Sequence, residues 1–597
     1  MRAPLTPRRR LVATAAVLAT AAGLLGGATA ASAESAAGHH GHGHHGHHGR
    51  FVDVQMLSFN DFHGNLEPPQ GSSGRITERM PDGTTREVQA GGVEYLASSL
   101  RKAREGHRYS VTAAAGDLVG ASPLLSGLFH DEPTIEAMNK LGLDVTSVGN
   151  HEFDEGIDEI RRLENGGCHP EDGCYGDHTF GGSDFPYLGA NVTDEKTGKP
   201  ALKPYMVWKH DGVKIGFIGV TLEGTPNIVS AEGVKGLKFH DEVATINKYA
   251  KELQHKGVKS IVALIHEGGY PSGDAYNDDC DSDGPGSGLS GPIVDIAENV
   301  TPKVDALVTG HTHQAYVCTI PDPSGAPRMV TSASSFGRLY TDTTLTYDRA
   351  TKDIVRTSVE SANHVVNREQ PKAADMTKLI DRWKELAAPI ANEPIGYISE
   401  DIPRSGVESP LGDLIADAQL ASVADQQPDL TLMNPGGIRS DLVYAASGSE
   451  GDGVVTYAEG FTVQPFSNTV NVEDLTGAQL LQVLREQVSG ANAESPKILQ
   501  VSDGFTYTLD LTKSGADRVV ADSVRLNGEP IDPDAIYRVA LNNFLAGGGD
   551  GFPTLAEGTN EYVGGDDLAA FQDYLTANSS ASDPLQAPAA DRITVVQ

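Results

Sequence analysis

The chain has 597 residues, 39% of them apolar and 21% charged, a balance that suits a soluble globular protein of two or three domains. Its formal net charge of −35 argues against a nucleic-acid polymer or an anionic membrane surface as partner. A phosphate-bearing ligand would have to be recruited locally, by metal ions or a few arginines.

Residues 1–33 carry the three parts of an export signal: Arg8-Arg9-Arg10, an apolar stretch over 11–25, and the small-residue site Ala31-Ser32-Ala33. An uncleaved anchor is the alternative, and the paired arginines leave twin-arginine export open. No later stretch is long enough to span a membrane. The mature chain is therefore expected to be secreted or held at the cell surface. Residues 34–50 read as a His/Gly-rich linker, with His39, His40, His42, His44, His45, His47 and His48 inside ten residues. Such a tract cannot bury apolar surface. It reads either as a solvated linker or as a weak binder of divalent metal. The four cysteines are even in number and belong to an oxidising compartment. Of three possible pairings, Cys168–Cys174 with Cys280–Cys318 is preferred because the first closes a local loop. A metal site using the nearby His169 and His178 is the alternative.

A first domain is expected over 51–360. Six short apolar runs lie at 52–59, 109–115, 144–148, 214–221, 260–265 and 304–309, with helix-like patterns between them at 91–105 and 241–255. This alternation predicts a sheet buried on both faces, whose ligands gather beyond the carboxyl ends of its strands. Five of the six runs end on a metal-binding side chain. In order these are Asp61 with His63, Asp117, Asn150 with His151, His266, and His311 with His313. The run at 214–221 has no ligand of its own. Residues 271–292, rich in Gly, Ser, Asp and Pro, read as an inserted surface loop. A connecting segment over 361–393 holds a predicted helix at 373–386, ended by Pro389. A second domain over 394–597 shows Ser409-Pro410 as a helix start and Thr476 to Gln479 as a capping box, with helices at 411–423 and 480–488. Strands are expected at 429–433, 504–511, 523–526 and 537–541.

Oxygen and imidazole ligands together suit zinc, manganese or non-haem iron. A shared carboxylate can bridge two such ions, and Asp117 holds the central place in the series. The ordered set Asn60-Asp-Phe-His-Gly64, Gly116-Asp117, Gly149-Asn-His-Glu-Phe-Asp154, His266 and Gly310-His-Thr-His313 resembles the calcineurin-like metallophosphoesterases, and in particular the secreted 5′-nucleotidases. The resemblance implies a four-layer α/β/β/α domain followed by a smaller α/β substrate-binding domain. It implies one divalent ion, zinc or manganese, on Asp61, His63, Asp117 and His313, and a second on Asp117, Asn150, His266 and His311. Some members carry Gln in place of His313, which changes one ligand's basicity. By the same resemblance His151 is not a ligand but protonates the leaving oxygen, with Asp154 orienting it. A carboxylate raises an imidazole's pKa and so suits it to that task.

Three stretches of the second domain, Asn434-Pro-Gly-Gly-Ile-Arg439, Gln464-Pro-Phe466-Ser-Asn468 and Asn543 to Phe552, resemble the nucleotide-binding half of that family. The resemblance implies that Phe466 and Phe544 sandwich the base, that Asp550 holds the ribose hydroxyls beside Asn434, and that Arg439 and Arg404 meet phosphate. The connecting helix is then a candidate hinge. The expected activity is release of the 5′-phosphate from a nucleotide by metal-bound hydroxide attacking in line. Three rivals stand beside it: 2′,3′-cyclic nucleotide phosphodiesterase activity, related sulfur-oxidising hydrolases, and a metal-sequestering surface protein built on the His tract. The oligomeric state, the preferred base and the number of phosphates removed stay open.

Overall fold

The computed structural model describes residues 49–597 apart from 177–178, 230–232, 449 and 467. The expected export signal, the histidines of the His-rich tract and His178 lie outside the described residues. The six apolar runs form strands, but they divide between two sheets instead of filling one. The first sheet follows the order Asp353–Ile354, Leu339–Asp348, Phe51–Phe59, Ser110–Ala115, Val145–Ser147, Tyr187–Leu188, with Glu360–Val365 also paired to Leu339–Asp348. The second follows Ala315–Pro321, Pro327–Ala333, Ala306–Thr309, Ile261–His266, Val213–Thr221, Tyr205–His210. The four ligand-bearing strands beyond Phe51–Phe59 run parallel to a neighbour, as does Phe51–Phe59 to Ser110–Ala115.

Alternate side chains serve different layers. Val54 and Met56 meet Ile215, Phe217, Val262 and Leu264 in a core between the two sheets. Leu57 and Phe59 point the other way, onto a core shared with the helices Val93–Arg104, Glu132–Leu141 and Ala374–Ala391. Ile261, Ala263 and Ile265 turn outward to the helices Glu242–His255 and Pro292–Asn299. The result is an α/β/β/α stack. This is the four-layer arrangement that the family resemblance implies; the apolar runs alone did not divide themselves between sheets, because an unbroken apolar run looks the same whether a helix or a second sheet covers it.

Local signals set most helix ends. The Asp241 side chain accepts from the Ala244 N–H, Ser409 from Gly412, and Thr476 forms a reciprocal capping box with Gln479. The helix expected to stop before Pro389 instead continues to Ala391. A proline this near the end forfeits one helical hydrogen bond, while Trp383 and Ala387 stay wholly buried in the first domain's outer layer. That helix thus packs as part of the first domain's outer layer. The next strand, Pro394–Tyr397, already pairs with Val454–Thr456 of the second domain.

The second domain centres on a five-stranded sheet, Gln500–Val501, Leu430–Met433, Ile536–Asn542, Thr469–Thr476, Thr559–Asp566, beside a small four-stranded sheet containing Phe505–Asp510 and Ile593–Val596. No helix among the described residues is long and apolar enough to cross a membrane.

Both expected disulfides are present, so the cysteines are not metal ligands. His169, beside the Cys168–Cys174 loop, stacks face to face on His130 with ring centroids 3.5 Å apart. His130 places Nδ1 2.7 Å from Glu155 and Nε2 2.8 Å from Asp172. Burial opposes charge on this ring, but the two carboxylates outweigh it and raise its pKa to about 9. A raised folded-state pKa contributes stability that is complete below the unfolded value and is lost as pH rises through the folded one. Denaturation midpoints should therefore fall in the wild type between pH 6.5 and about 9 relative to His130→Asn. Parallel profiles for the two proteins would show that the imidazolium does not hold this loop.

Candidate active site

The ligand-bearing side chains leave their strands through tight turns. Asp61, His63, Asp117, His311 and His313 all sit at left-handed φ, from 47° to 70°, a region that non-glycine residues seldom occupy. The glycines ahead of Asp117, Asn150 and His311 allow the close approach. A Cβ on Gly116 would lie 2.5 Å from the Gly149 nitrogen, and one on Gly149 would lie 2.1 Å from Asp117 Oδ1. Gly116, Gly149 and Gly310, which precede three of the ligand groups, are therefore part of the site's geometry.

The seven first-domain residues expected as metal ligands come together. His313 Nε2 lies 3.3 Å from Asp61 Oδ1 and 3.1 Å from His63 Nε2. His63 Nε2 is 3.5 Å from Asp117 Oδ2, and His266 Nε2 is 3.0 Å from that same oxygen. Asn150 Oδ1 and His311 Nδ1 are 3.0 Å apart, and the His266 and His311 rings lie 5.4 Å apart, centroid to centroid. Asp61, His63, Asp117 and His266 are fully buried.

The residues fit a pair of divalent cations on grounds internal to the structure. His63 Nδ1 and His266 Nδ1 are 2.8 Å and 2.7 Å from the Gly120 and Ala115 carbonyls, to which they donate. Such bonds to carbonyls fix the ring orientation and leave Nε2 facing the centre. His266 Nε2 is buried there without a well-directed hydrogen bond. Burial pushes the pKa values of His63 and His313 down, and that of His311 to about 3. These three rings therefore stand neutral, the form that binds metal.

His151 lies beside this cluster. Its backbone N–H donates to Asp117 Oδ1 at 3.0 Å, and its Nδ1 is 2.8 Å from Asp154 Oδ2. Burial disfavours the charged ring, yet Asp154 and Asp117 together raise its pKa. Glu152, quoted in the sequence stretch but given no role there, holds the turn together. Its carboxylate accepts from the backbone N–H groups of Asp117, Leu118 and Gly149 at 3.0, 2.8 and 2.5 Å. Its adjacency to His151 was the only sequence signal for this.

The second domain repeats the strand-end rule. Asn434 follows the strand Leu430–Met433, and Asn543 and Phe544 follow Ile536–Asn542. Asp117, Asn150, His151, Asp154, His311 and His313 share one cavity of about 890 Å³ with Asn434, Arg439, Phe466, Phe544 and Asp550. Phe466 lies face to face with His151, ring centroids 5.8 Å apart, and the Arg439 guanidinium sits 5.7 Å from the Phe466 ring centre. After burial, the Arg439 charge is the next largest cause of the depressed His313 pKa, which places that cation at the mouth of the cluster. Asp550, also left-handed with φ 57°, accepts from Asn434 Nδ2 at 2.7 Å and Lys497 Nζ at 2.5 Å.

Arg404 departs from expectation. Its guanidinium donates to the Ile438 carbonyl at 3.1 Å and reaches Ser73 Oγ at 3.5 Å, and it is not among the residues that line the cavity. The carbonyl it satisfies holds it behind Arg439. Sequence reasoning missed Lys497, which no pattern marks. It also missed the wall formed by Pro226, Asn227, Ile228 and Val229, which follows the one strand without a ligand.

Comparison with known proteins agrees with this architecture. Residues 56–315 match the calcineurin-like phosphoesterase model, and 394–557 match the 5′-nucleotidase C-terminal domain. Endonuclease YhcR of Bacillus subtilis is 32% identical over 88% of this chain, which spans only 40% of that protein's length. A cell wall protein of Listeria monocytogenes is 31% identical over 90% of this chain and 68% of its own. The crystal structure of a 5′-nucleotidase precursor from Thermus thermophilus superposes with a TM-score of 0.71 at 24% identity, covering 92% of this chain and 100% of that one. With these matches spanning both domains, the chain belongs to the 5′-nucleotidase family, a calcineurin-like phosphoesterase domain joined to a 5′-nucleotidase C-terminal domain.

Proposed function

We propose that this chain is an exported phosphohydrolase that removes the 5′-phosphate from nucleotides, using two divalent cations. One observation carries the reading: a single cavity joins the carboxylate–imidazole cluster to two aromatic rings and a buried carboxylate contributed by the other domain. Asp61, His63, Asp117 and His313 would hold one ion, and Asp117, Asn150, His266 and His311 the other, with zinc or manganese suited to the donor set. Bound there, the two cations supply positive charge for the phosphoryl oxygens and acidify a water.

The chain's own residues do the rest. Arg439 meets the phosphate at the mouth of the cluster, where a guanidinium pairs well with phosphate oxygens. Phe466 and Phe544 offer flat apolar faces to a base, and stacking of this kind tolerates any base. Asp550 accepts from ribose hydroxyls. His151, protonated with the help of Asp154, gives its proton to the 5′ oxygen as the ester bond breaks. Glu152 keeps Asp117 in register with His151. Export is supported by the basic-apolar-small pattern of residues 1–33, by the two disulfides and by the similarity to a cell wall protein.

Phosphate release from AMP should disappear on chelation and return with zinc or manganese, and His151→Ala should lower kcat by about 10²- to 10⁴-fold. Turnover of 2′,3′-cyclic AMP with none of AMP would keep the metal centre and reject the 5′-nucleotidase assignment.

Glu152→Ala would strand three buried N–H groups, each lost partner costing about 1–3 kcal/mol. Its metal content after dialysis should fall below that of the wild type. Full metal retention with a normal melting temperature would mean that the Asp117 turn stands without Glu152.

A further inference from the structure

The Asp550 carboxylate is held more firmly than recognition by one residue requires. Its side chain is 8% exposed, on a left-handed backbone flanked by Gly549 and Gly551. A Cβ on Gly549 would fall 2.5 Å from the Phe544 ring, and one on Gly551 would fall 2.9 Å from Ala491. The Asp550 carbonyl accepts from Asn492 Nδ2 at 2.9 Å, so the backbone is pinned on this side as well. Oδ2 accepts from Asn434 Nδ2 at 2.7 Å, and Asn434 is itself fixed by Asn542 Nδ2 at 2.9 Å. Oδ1 accepts from Lys497 Nζ at 2.5 Å. Each carboxylate oxygen therefore has one protein donor, which leaves acceptor capacity on both for a pair of neighbouring hydroxyls.

Lys497 differs from the other partners in charge and in position. It comes from the segment before the strand Gln500–Val501, remote in sequence from both glycine-rich loops. Among the described cavity-lining residues it and Arg439 are the lysine and arginine present, and Arg439 is committed to the metal end. A largely buried carboxylate facing only neutral donors is poorly compensated, whereas a charge-assisted bond is short and strong.

We propose that Lys497 is a positioning residue for substrate specificity: through its ion pair it fixes the Asp550 carboxylate toward the sugar, so that the enzyme selects phosphate esters carrying a ribose cis-diol. This rests on the nucleotidase reading above. A site built to hydrogen-bond hydroxyls rejects analogues that lack them, because its own polar groups are left unpaired. Removing Lys497 should then weaken binding of the diol without touching the reaction at the phosphate.

The test compares wild type, Lys497→Met and Lys497→Arg on AMP, 2′,3′-dideoxy-AMP and p-nitrophenyl phosphate, all with zinc or manganese present. In Lys497→Met, KM for AMP should rise about tenfold with kcat within about twofold, the signature of lost ground-state binding. The dideoxy nucleotide and p-nitrophenyl phosphate should change by less than about twofold, and Lys497→Arg should recover most of the AMP affinity. Parallel losses on all three substrates would make Lys497 merely structural and overturn the proposal, as would an unchanged KM for AMP. Wild-type protein that hydrolyses p-nitrophenyl phosphate but not AMP would strike the nucleotidase reading itself, and this proposal with it.

Discussion

Two carboxylates, Asp61 and Asp117, lie fully buried within reach of one imidazole, His266, whose Nε2 is 3.0 Å from one and 4.0 Å from the other. Taking a carboxylate out of water is costly unless positive charge or hydrogen bonds replace the water. Much of the first domain answers that requirement. The Asn60 amide donates to Asp61 at 2.6 Å, and the His311 backbone N–H reaches both Asp61 oxygens, at 3.1 and 3.0 Å. The His151 N–H serves Asp117. What remains is a cluster of ring nitrogens, two of them turned inward by carbonyls on their far side, an arrangement suited to divalent metal. The strained turns and crowded glycines follow from bringing so many strand ends to one point.

Much of this was legible in the chain. Gly116-Asp117, Gly149-Asn150-His151 and Gly310-His311-Thr312-His313 each combine a glycine that permits close approach with a side chain that has no structural reason to end a strand. Capping residues such as Ser409 and Thr476 acted where local chemistry placed them, because a cap depends on backbone groups three residues away. The partition into two sheets was carried by the family resemblance of the strand-end motifs and not by the apolar runs themselves, since both faces of an apolar strand are satisfied equally by helix or sheet. Pro389 misled for a related reason: tertiary burial of Trp383 and Ala387 outweighed a local breaker.

The site residues that escaped notice share one property. Glu152, Lys497 and the 226–229 wall act through positions set by tertiary contact, and nothing in their neighbours' spacing distinguishes them from ordinary surface or core residues. Arg404 shows the reverse error. An arginine near a recognisable helix start is an attractive phosphate ligand, but a nearby carbonyl had the stronger geometric claim on it. Sequence placed the charged and imidazole groups of the cluster more securely than the groups that hold them in place.

The contact between Phe466 and His151 joins a ring of the second domain to an imidazole at the strand-end cluster of the first. Neither domain alone can give that imidazole its surroundings, since its charge is set from below by Asp154 and Asp117 and its outer face is screened from above. The covalent path between the domains narrows to Asn392 and Glu393, between a packed helix and a paired strand. The shielding of the His151 ring is thus a property of the assembled pair of domains, one flank coming from Asp117 and Asp154 and the other from Phe466.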